Sequence, residues 1–284
     1  MVILSDSHNL LGQPLSFLLG GCISDKKKVL SEKDEEAAIL AEEGQSDKRS
    51  NEGYVTASRI NLLYVKAYQT KSGTTTYSYV EGYVEVEKPS YDRTVTIHYA
   101  NNGDLTKWYD DTTSCKYYAE SPNGAPGTRE ILYFKKQITN KIRFAVKWSR
   151  PGLQDYWDNN GGLDYTVGVG TYDQSMILGL NNIAMEKFVT TKNTVKYQKV
   201  ITGSVLLKNL AYTKDVKIVY STDGWKTSKS AVVNYGEKYY AFERWNFSAY
   251  LDYTVTNAKF KFVYVVNGQT YVDDNCGKYY TAAW

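Results

Sequence analysis

The chain has 284 residues and a net charge of +3, and it contains 27 tyrosines but only 2 histidines. Its lysines and arginines are spread along the chain, which argues against nucleic acid as a partner because that partner calls for a basic stripe. Two histidines and three widely spaced cysteines, Cys22, Cys115 and Cys276, favour neither a metal site nor a disulfide framework. No run approaches the roughly 18 apolar residues that a membrane-crossing helix needs, so no transmembrane span is expected.

Residues 1–53 are predicted to form a mostly disordered N-terminal extension. The segment 18–22, Leu-Leu-Gly-Gly-Cys, is similar to a bacterial lipoprotein cleavage box, which leaves lipidation of Cys22 as an alternative. A signal peptide begins with positive charge, however, and near its start this chain has the polar run 5–8, Ser-Asp-Ser-His. Residues 24–51 are strongly charged, a composition that disfavours a packed core. We therefore expect an unstructured leader rather than a signal peptide.

Short runs that alternate apolar and polar residues begin at about Tyr54. They include 82–87, 94–99 and 142–148, with turn-forming residues between them. Such alternation is typical of half-buried β strands. Because no amphipathic helical pattern separates the runs, an all-β fold is predicted.

The same series of runs returns after about Asn181, and its members are 203–208, 215–220 and 259–264. Gly203 corresponds to Gly82, and Tyr280 to Tyr165, at nearly the same spacing. Lysines alternate with phenylalanines in 259–262, which favours an edge strand with a charged solvent face. The repeat predicts two consecutive immunoglobulin-like β-sandwich modules, at residues 54–172 and 181–284.

Each predicted module ends in a polar segment, 158–165 in the first and 273–280 in the second, which we call the late loops. The first follows Trp157, whereas the second follows Val272. A flat ring packs on the C–H faces of a sugar, and an amide offers both a donor and an acceptor to its hydroxyls. Asp158 and Asp273 are expected to shape their loops through Asx-type hydrogen bonds rather than to contact a ligand.

These features, in this order, resemble carbohydrate-binding module family 21, the starch- and glycogen-binding sandwich that also occurs in glycogen-targeting subunits of protein phosphatase 1. The resemblance covers roughly residues 59–284. It rests in the first module on 89–95, Trp108, 144–148, 157–160 and Tyr165. In the second it rests on 208–216, 220–227, 245–247, 260–268, 273–275 and Tyr280.

The resemblance implies two sugar-binding surfaces in each module. One would consist of Trp108, Trp157, Asn159 and Asn160 in the first module, and of Trp225, Asp274 and Asn275 in the second. The other would consist of Tyr91 with Tyr117 or Tyr118 in the first module, and of Tyr212 with Tyr235, and Tyr240 as a further candidate, in the second. Since the second late loop has Val272 in place of Trp157 and Asp274 in place of Asn159, the first module is expected to bind more strongly through the late-loop surface. The second module could instead use Tyr279 or its Tyr212 surface.

The function implied is non-catalytic binding of α-1,4-glucans: starch, glycogen, malto-oligosaccharides and cyclodextrin. Two modules in one chain would add avidity on a polymer. No pair of acidic residues has the setting that glycoside hydrolysis requires, so no enzyme activity and no cofactor are expected. The compartment stays open between a cytoplasmic, glycogen-associated location and a secreted or cell-surface one.

Three alternatives remain open. A glycogen-targeting scaffold would bind a phosphatase catalytic subunit, and the run 26–31, Lys-Lys-Lys-Val-Leu-Ser, begins like a phosphatase docking motif but lacks its phenylalanine. The chain could also be an accessory part of an amylolytic enzyme. A structural protein would use its tyrosine-rich faces to contact protein partners.

Overall fold

The computed structural model describes residues 59–88, 92–101, 105, 107–123 and 125–284. The predicted extension 1–53, the run 26–31 and the candidate Tyr91 lie outside the described residues. Across the described ranges the regular structure consists of β strands and one short 3-10 helix at Asn160–Gly162. The all-β prediction is therefore confirmed.

The first half of the described chain forms two sheets that face each other. Its strands are β1 (Ile60–Ser72), β2 (Thr75–Glu87), β3 (Thr94–Asn101), β4 (Trp108–Ser114), β5 (Lys116–Glu120), β6 (Arg129–Ile138), β7 (Lys141–Ser149), β8 (Tyr156–Asp158), β9 (Tyr165–Gly168) and β10 (Met176–Leu178). One sheet has the order β10-β1-β2-β6-β5, and the other has the order β4-β3-β7-β8, with β9 also on β7. Alternate residues of both sheets, among them Val84, Ile97 and Trp148, fill one buried core between them.

The second half contains β11 (Ile183–Asn193), β12 (Gln198–Lys208), β13 (Asp215–Ser221), β14 (Lys229–Tyr239), β15 (Phe242–Asp252), β16 (Asn257–Val266), β17 (Gln269–Asp273) and β18 (Tyr280–Ala283). They form one eight-stranded sheet in the order β11-β12-β15-β14-β13-β16-β17, with β18 also on β16. Strand β14 pairs with β13 through residues 229–232 and with β15 through 233–239, so it joins the two layers. In the first half two strands correspond to β14: β4 pairs with β3 of one sheet, and β5, separated from β4 only by Cys115, pairs with β6 of the other. A second core contains Ile218, Phe247 and Phe262.

We call residues 59–178 the first unit and 183–284 the second unit. The strands predicted at 82–87, 94–99, 142–148, 203–208, 215–220 and 259–264 all fall within observed strands. The edge position predicted for 259–262 is wrong, because β16 pairs with β13 on one side and with β17 and β18 on the other. The alternation of lysine and phenylalanine still holds, since Phe260 and Phe262 are buried in the core.

The two units are in contact through a third apolar cluster. From the first unit it contains Tyr64, Tyr83 and Ile131, and from the second it contains Leu206 and Phe242. Strand β10 pairs with β1, which fixes the connection between the units on the first sheet. Hydrogen bonds add to this contact: the Tyr239 hydroxyl accepts from Ser175 N at 2.7 Å, and Lys208 Nζ donates to Gly179 O at 2.6 Å. The connection is thus a packed element.

Candidate functional site

The two late loops make the same pattern of hydrogen bonds. In the first, Asp158 Oδ2 accepts from Leu62 N at 2.6 Å and Oδ1 from the Tyr165 hydroxyl at 2.8 Å. In the second, Asp273 Oδ2 accepts from Met185 N at 2.6 Å and Oδ1 from the Tyr280 hydroxyl at 2.9 Å. Each aspartate therefore ties its loop to the first strand of its own unit, in agreement with the loop-shaping role expected for both.

The predicted amide and carboxylate residues also hold the loops in shape. Asn159 Oδ1 accepts from Gly162 N at 3.0 Å, and Asp274 Oδ1 accepts from Gly277 N at 2.8 Å. Asn160 Nδ2 donates to Asp164 O at 3.1 Å, just as Asn275 Nδ2 donates to Tyr279 O at 3.2 Å. Asn160, Asp164, Asn275 and Tyr279 all have positive φ, between 54° and 59°, so these side-chain bonds support a left-handed backbone.

Beside the first late loop, three rings come together on the outer face of the β4-β3-β7-β8 sheet. The His98 ring lies parallel to Trp108, with centroids 4.8 Å apart and an interplanar angle of 4°. Trp157 meets His98 edge to face at 5.4 Å and is 40% exposed. The structure therefore brings together the two tryptophans that the sequence assigned to one surface. His98, which the sequence analysis did not assign to the site, lies between them.

Two cations line this ring group. Arg143 lies 5.2 Å from the Trp108 centroid, and Lys147 Nζ lies 5.2 Å from that of Trp157. Arg143 also pairs with Asp164 of the late loop at 2.6 Å, and Lys147 with Asp155 at 2.8 Å. These contacts fix the rings from the side of the sheet and connect the sheet to the late loop.

The corresponding region of the second unit is built around Trp225. This residue has φ of 70°, and its backbone N donates to Ser221 Oγ at 2.8 Å. Asp223 closes the same turn by accepting from Thr227 N and Oγ1, and these hydrogen bonds lower the pKa of the Asp223 carboxyl to about 2. Trp225 is thus presented by a tight turn, whereas Trp108 begins strand β4.

The second late loop supplies a ring of its own. The Tyr279 ring lies 4.6 Å from Trp225 at an interplanar angle of 41°, and Lys261 Nζ lies 5.6 Å from the Trp225 centroid. Tyr279 follows Asp274 in the loop as Asp164 follows Asn159, so a tyrosine replaces the aspartate of the first loop. Val272 is 43% exposed and provides no ring at the place of Trp157.

The predicted tyrosine surfaces are placed differently in the two units. In the second, Tyr212 is fully exposed before β13, and Tyr235 is 56% exposed and meets Trp245 edge to face at 6.0 Å. In the first, the Tyr118 hydroxyl donates to Asn275 Oδ1 of the second late loop at 3.0 Å. Tyr118 therefore lies between the units, while its neighbour Tyr117 is exposed.

His98 is a member of the ring group that strand alternation could have found. Because Val95 and Ile97 point into the core, His98 has to lie on the opposite face, beside the partner strand that carries Trp108. From the sequence, Tyr279 was expected only as an alternative to the ring that the second module lacks at Val272. Its approach to Trp225 depends on the turn at Trp225, which local patterns do not specify.

Burial changes the acid–base properties of the second late loop. It raises the pKa of Asp273 to about 6 and that of the Cys276 thiol to about 12. The thiol therefore stays protonated at neutral pH, which is unfavourable for nucleophilic chemistry.

Among the described residues no group of three or more His, Cys, Asp or Glu side chains could hold a metal ion, and no helix is long and apolar enough to cross a bilayer.

An all-β scaffold that carries exposed rings beside a polar loop has the architecture of a carbohydrate-binding module. Residues 177–283 match the model of the carbohydrate/starch-binding module, family 21. The resemblance to this family is therefore confirmed over the second unit.

Two curated relatives and two solved structures are similar to parts of the chain. Protein phosphatase 1 regulatory subunit 3B of Homo sapiens is 33% identical, and that of Rattus norvegicus 32%, each over 109 residues. The alignment covers 36% of this chain and 38% of each relative, so the chain matches well under half of the relatives' length. The starch-binding domain of Rhizopus oryzae glucoamylase, solved with beta-cyclodextrin and maltoheptaose, is 22% identical with a TM-score of 0.30, covering 37% of this chain and 94% of its own. The carbohydrate-binding module of the muscle glycogen-targeting subunit of protein phosphatase 1 is 19% identical with a TM-score of 0.28, covering 51% and 95%.

Proposed function

We propose that this protein binds α-1,4-glucans such as starch or glycogen without catalysing a reaction on them. The observation that carries the proposal is the repeated site: each unit presents a tryptophan beside a late loop with the same hydrogen bonds, and the second of these loops lies in the segment that matches family 21. Rings in such a setting offer flat apolar area, and the loop offers polar atoms at its rim. Both are what a polyhydroxylated chain with C–H faces requires.

In the first unit, Trp108 and Trp157 would provide the stacking area. Trp108 lies parallel to His98 and Trp157 nearly perpendicular to it, so the two tryptophan planes are steeply inclined to each other. Two inclined rings can contact successive sugars of a curved chain, which an α-1,4-linked glucan is. Asn159 and Asn160 would bind sugar hydroxyls with the polar atoms that their loop bonds leave available.

In the second unit, Trp225 and Tyr279 would provide the stacking area, with Asp274 and Asn275 shaping the loop. Tyr212 and Tyr235 would form a separate surface for the same ligand, since both rings are exposed on the second unit. For the first unit the resemblance offers Tyr91 with Tyr117 or Tyr118. Because Tyr118 is bonded to the second late loop, Tyr91 with the exposed Tyr117 is the corresponding proposal.

The two units would act together on a polymer. Because their contact is packed, a glucan bound at one unit meets the other at a high effective concentration, and avidity can exceed single-site affinity by about a hundredfold or more where the geometry permits. The late-loop surface of the first unit is proposed as the stronger of the two, because it keeps Trp157.

Affinity electrophoresis in gels that contain amylopectin tests the proposal. Wild-type protein should be retarded, the double variants Trp108→Ala/Trp157→Ala and Trp225→Ala/Tyr279→Ala should each be retarded less, and their combination should be retarded least, with only the proposed tyrosine surfaces left to bind. Tyr250→Ala, which removes an exposed ring of the second unit that is assigned to neither surface, is the matched control. If the fourfold variant migrates like the wild-type protein, the site assignment is wrong. If the wild-type protein is not retarded, glucan binding is refuted.

A second candidate function is the targeting of a protein phosphatase to glycogen. It is favoured by the identity of 33% over 109 residues to a protein phosphatase 1 regulatory subunit. In such a scaffold the catalytic subunit would be bound outside the two units, and the run 26–31 is the candidate segment. Pull-down of the catalytic subunit by the intact chain, compared with Val29→Ala, tests this. Capture that Val29→Ala abolishes supports the role, and absence of capture by the intact chain excludes it.

A further inference from the structure

Tyr118 of strand β5 is a residue of the first unit that contacts the second late loop. The Tyr118 hydroxyl donates to Asn275 Oδ1 at 3.0 Å, and Lys278 Nζ lies 3.4 Å from the centroid of the Tyr118 ring. A further ring, Tyr83, meets Tyr118 edge to face at 4.9 Å. Tyr118 is thus engaged by a lysine on one face, by a second ring edge to face, and by the loop at its hydroxyl, so its contacts lie between the two units.

The contact continues from Asn275 to the ring pair of the second unit. Each polar atom of the Asn275 side chain makes a hydrogen bond: Oδ1 accepts from the Tyr118 hydroxyl, and Nδ2 donates to Tyr279 O at 3.2 Å. Tyr279, held at φ of 59°, directs its ring to Trp225 at 4.6 Å. A continuous series of contacts therefore leads from Tyr118 through Asn275 and Tyr279 to Trp225.

The first late loop provides an internal comparison. Asn160 makes the bond that corresponds to that of Asn275, with Asp164 O at 3.1 Å, but Asn160 is exposed whereas Asn275 is half-buried. Tyr118 thus gives the second loop a support that comes from the other unit. A side-chain amide bonded at both ends has a single orientation, and a fixed amide fixes the carbonyl to which it donates.

We propose that Tyr118 is a positioning residue for the second unit's glucan surface, acting through Asn275 on the backbone that presents Tyr279, rather than a sugar contact of the first unit. The inference rests on the proposed function and adds a dependence between the two units. Loss of the hydroxyl should weaken binding at the second unit by about three- to tenfold, the range expected for one neutral hydrogen bond. Binding at the first unit's late-loop surface should stay unchanged.

The test compares the two surfaces one at a time in the full chain. Maltoheptaose affinity is measured by calorimetry in two proteins that both carry Tyr212→Ala/Tyr235→Ala. One also carries Trp108→Ala/Trp157→Ala, which leaves the late-loop surface of the second unit, and the other carries Trp225→Ala/Tyr279→Ala, which leaves that of the first. Tyr118→Phe is added to each, with Tyr250→Phe as a control that removes another partly exposed hydroxyl. Weaker binding is expected only for Tyr118→Phe in the protein that retains the second surface.

A double-mutant cycle separates positioning from a general loss of stability. If Tyr118 acts through Asn275, then Tyr118→Phe should have no further effect on affinity once Asn275→Ala is present. As a measurement independent of affinity, the side-chain amide resonance of Asn275 should shift in Tyr118→Phe, and its hydrogen exchange should become faster. An unchanged resonance would overturn the inference even where the single-surface proteins bind too weakly for calorimetry.

The outcomes distinguish this inference from the proposed function. Glucan binding with a Tyr118→Phe effect confined to the first surface would mean that Tyr118 contacts sugar there. Glucan binding without an effect on either surface would also overturn the positioning role, with the proposed function intact. Absence of glucan binding by wild-type protein would remove both.

Discussion

The late loop of the first unit and that of the second have the same internal hydrogen bonds in different surroundings. Asp158 is half-buried and its loop faces outward beside Trp157, whereas Asp273 is 4% exposed and its loop packs on the first unit. The shape of the loop therefore comes from its own residues, because the same bonds recur in both places. The ionisation of its aspartate, the accessibility of the loop and the ring beside it differ with the residues that surround the loop.

The largest difference between the loops should appear when each aspartate is removed. Asp273→Ala leaves Met185 N–H and the Tyr280 hydroxyl buried without their acceptor, and we expect a loss of about 3–4 kcal/mol in the free energy of unfolding at pH 5. Asp158→Ala should cost about 1–2 kcal/mol, because Asp158 is itself half-buried and water can take the place of its carboxylate, although Leu62 and Tyr165 are buried. Urea denaturation of both variants measures this. Equal losses would show that burial does not distinguish the loops.

The pH dependence of stability should be the next largest effect. Burial raises the pKa of Asp273 to about 6 in the folded protein, so the folded state holds a proton that the unfolded state releases near its ordinary value. The stability that this proton provides is fully present below about pH 4 and is lost as the pH rises through about 6, by up to about 3 kcal/mol. Wild-type protein should thus lose stability in this window relative to Asp273→Asn.

Direct titration gives a second readout. The carboxyl carbon of Asp273, followed by NMR, should titrate near pH 6. A carboxyl that titrates below pH 4, or an Asp273→Asn variant with the same pH profile as wild type, would contradict the assignment.

The ring that only the first loop carries should produce a difference in affinity. Trp157→Ala, in a protein without Trp225 and Tyr279, should weaken maltoheptaose binding by about tenfold, which corresponds to about 1.4 kcal/mol. Val272→Ala, in a protein without Trp108 and Trp157, should change affinity by less than about twofold, since its small side chain offers little stacking area. Similar losses for both would refute the proposed asymmetry.

The smallest expected effect concerns the position that differs between the loops, Asp164 in the first and Tyr279 in the second. Asp164→Asn removes the ion pair with Arg143, which is partly exposed, and keeps a residue type that tolerates the positive φ at this position. We therefore expect a loss below about 1 kcal/mol that decreases further at high salt. Denaturation at low and high salt, with Asp155→Ala as a second broken pair, measures it. A larger loss that salt does not reduce would show that Asp164 supports the loop in another way.

The strands and the repeat could be predicted because they depend on local patterns. The alternation in 94–99 specifies which residues enter the core, and the recurrence of Gly82 as Gly203 shows two copies of one pattern. The loop-shaping role of Asp158 and Asp273 followed from the tendency of aspartate to bond to backbone two residues further on. The prediction that 259–262 is an edge strand was wrong, because the number of strands that pair with a given strand depends on distant segments and not on local patterns.

Sequence alone determined the all-β fold, the two series of strands, and the resemblance to family 21 that holds over residues 177–283. That resemblance also implied that Trp108 and Trp157 share one surface. Only the tertiary structure decided that His98 lies between them, that Tyr279 reaches Trp225, and that Tyr118 supports the second late loop. The physical reason is that local patterns determine which face a side chain occupies, while contacts between loops and between units depend on how whole sheets pack.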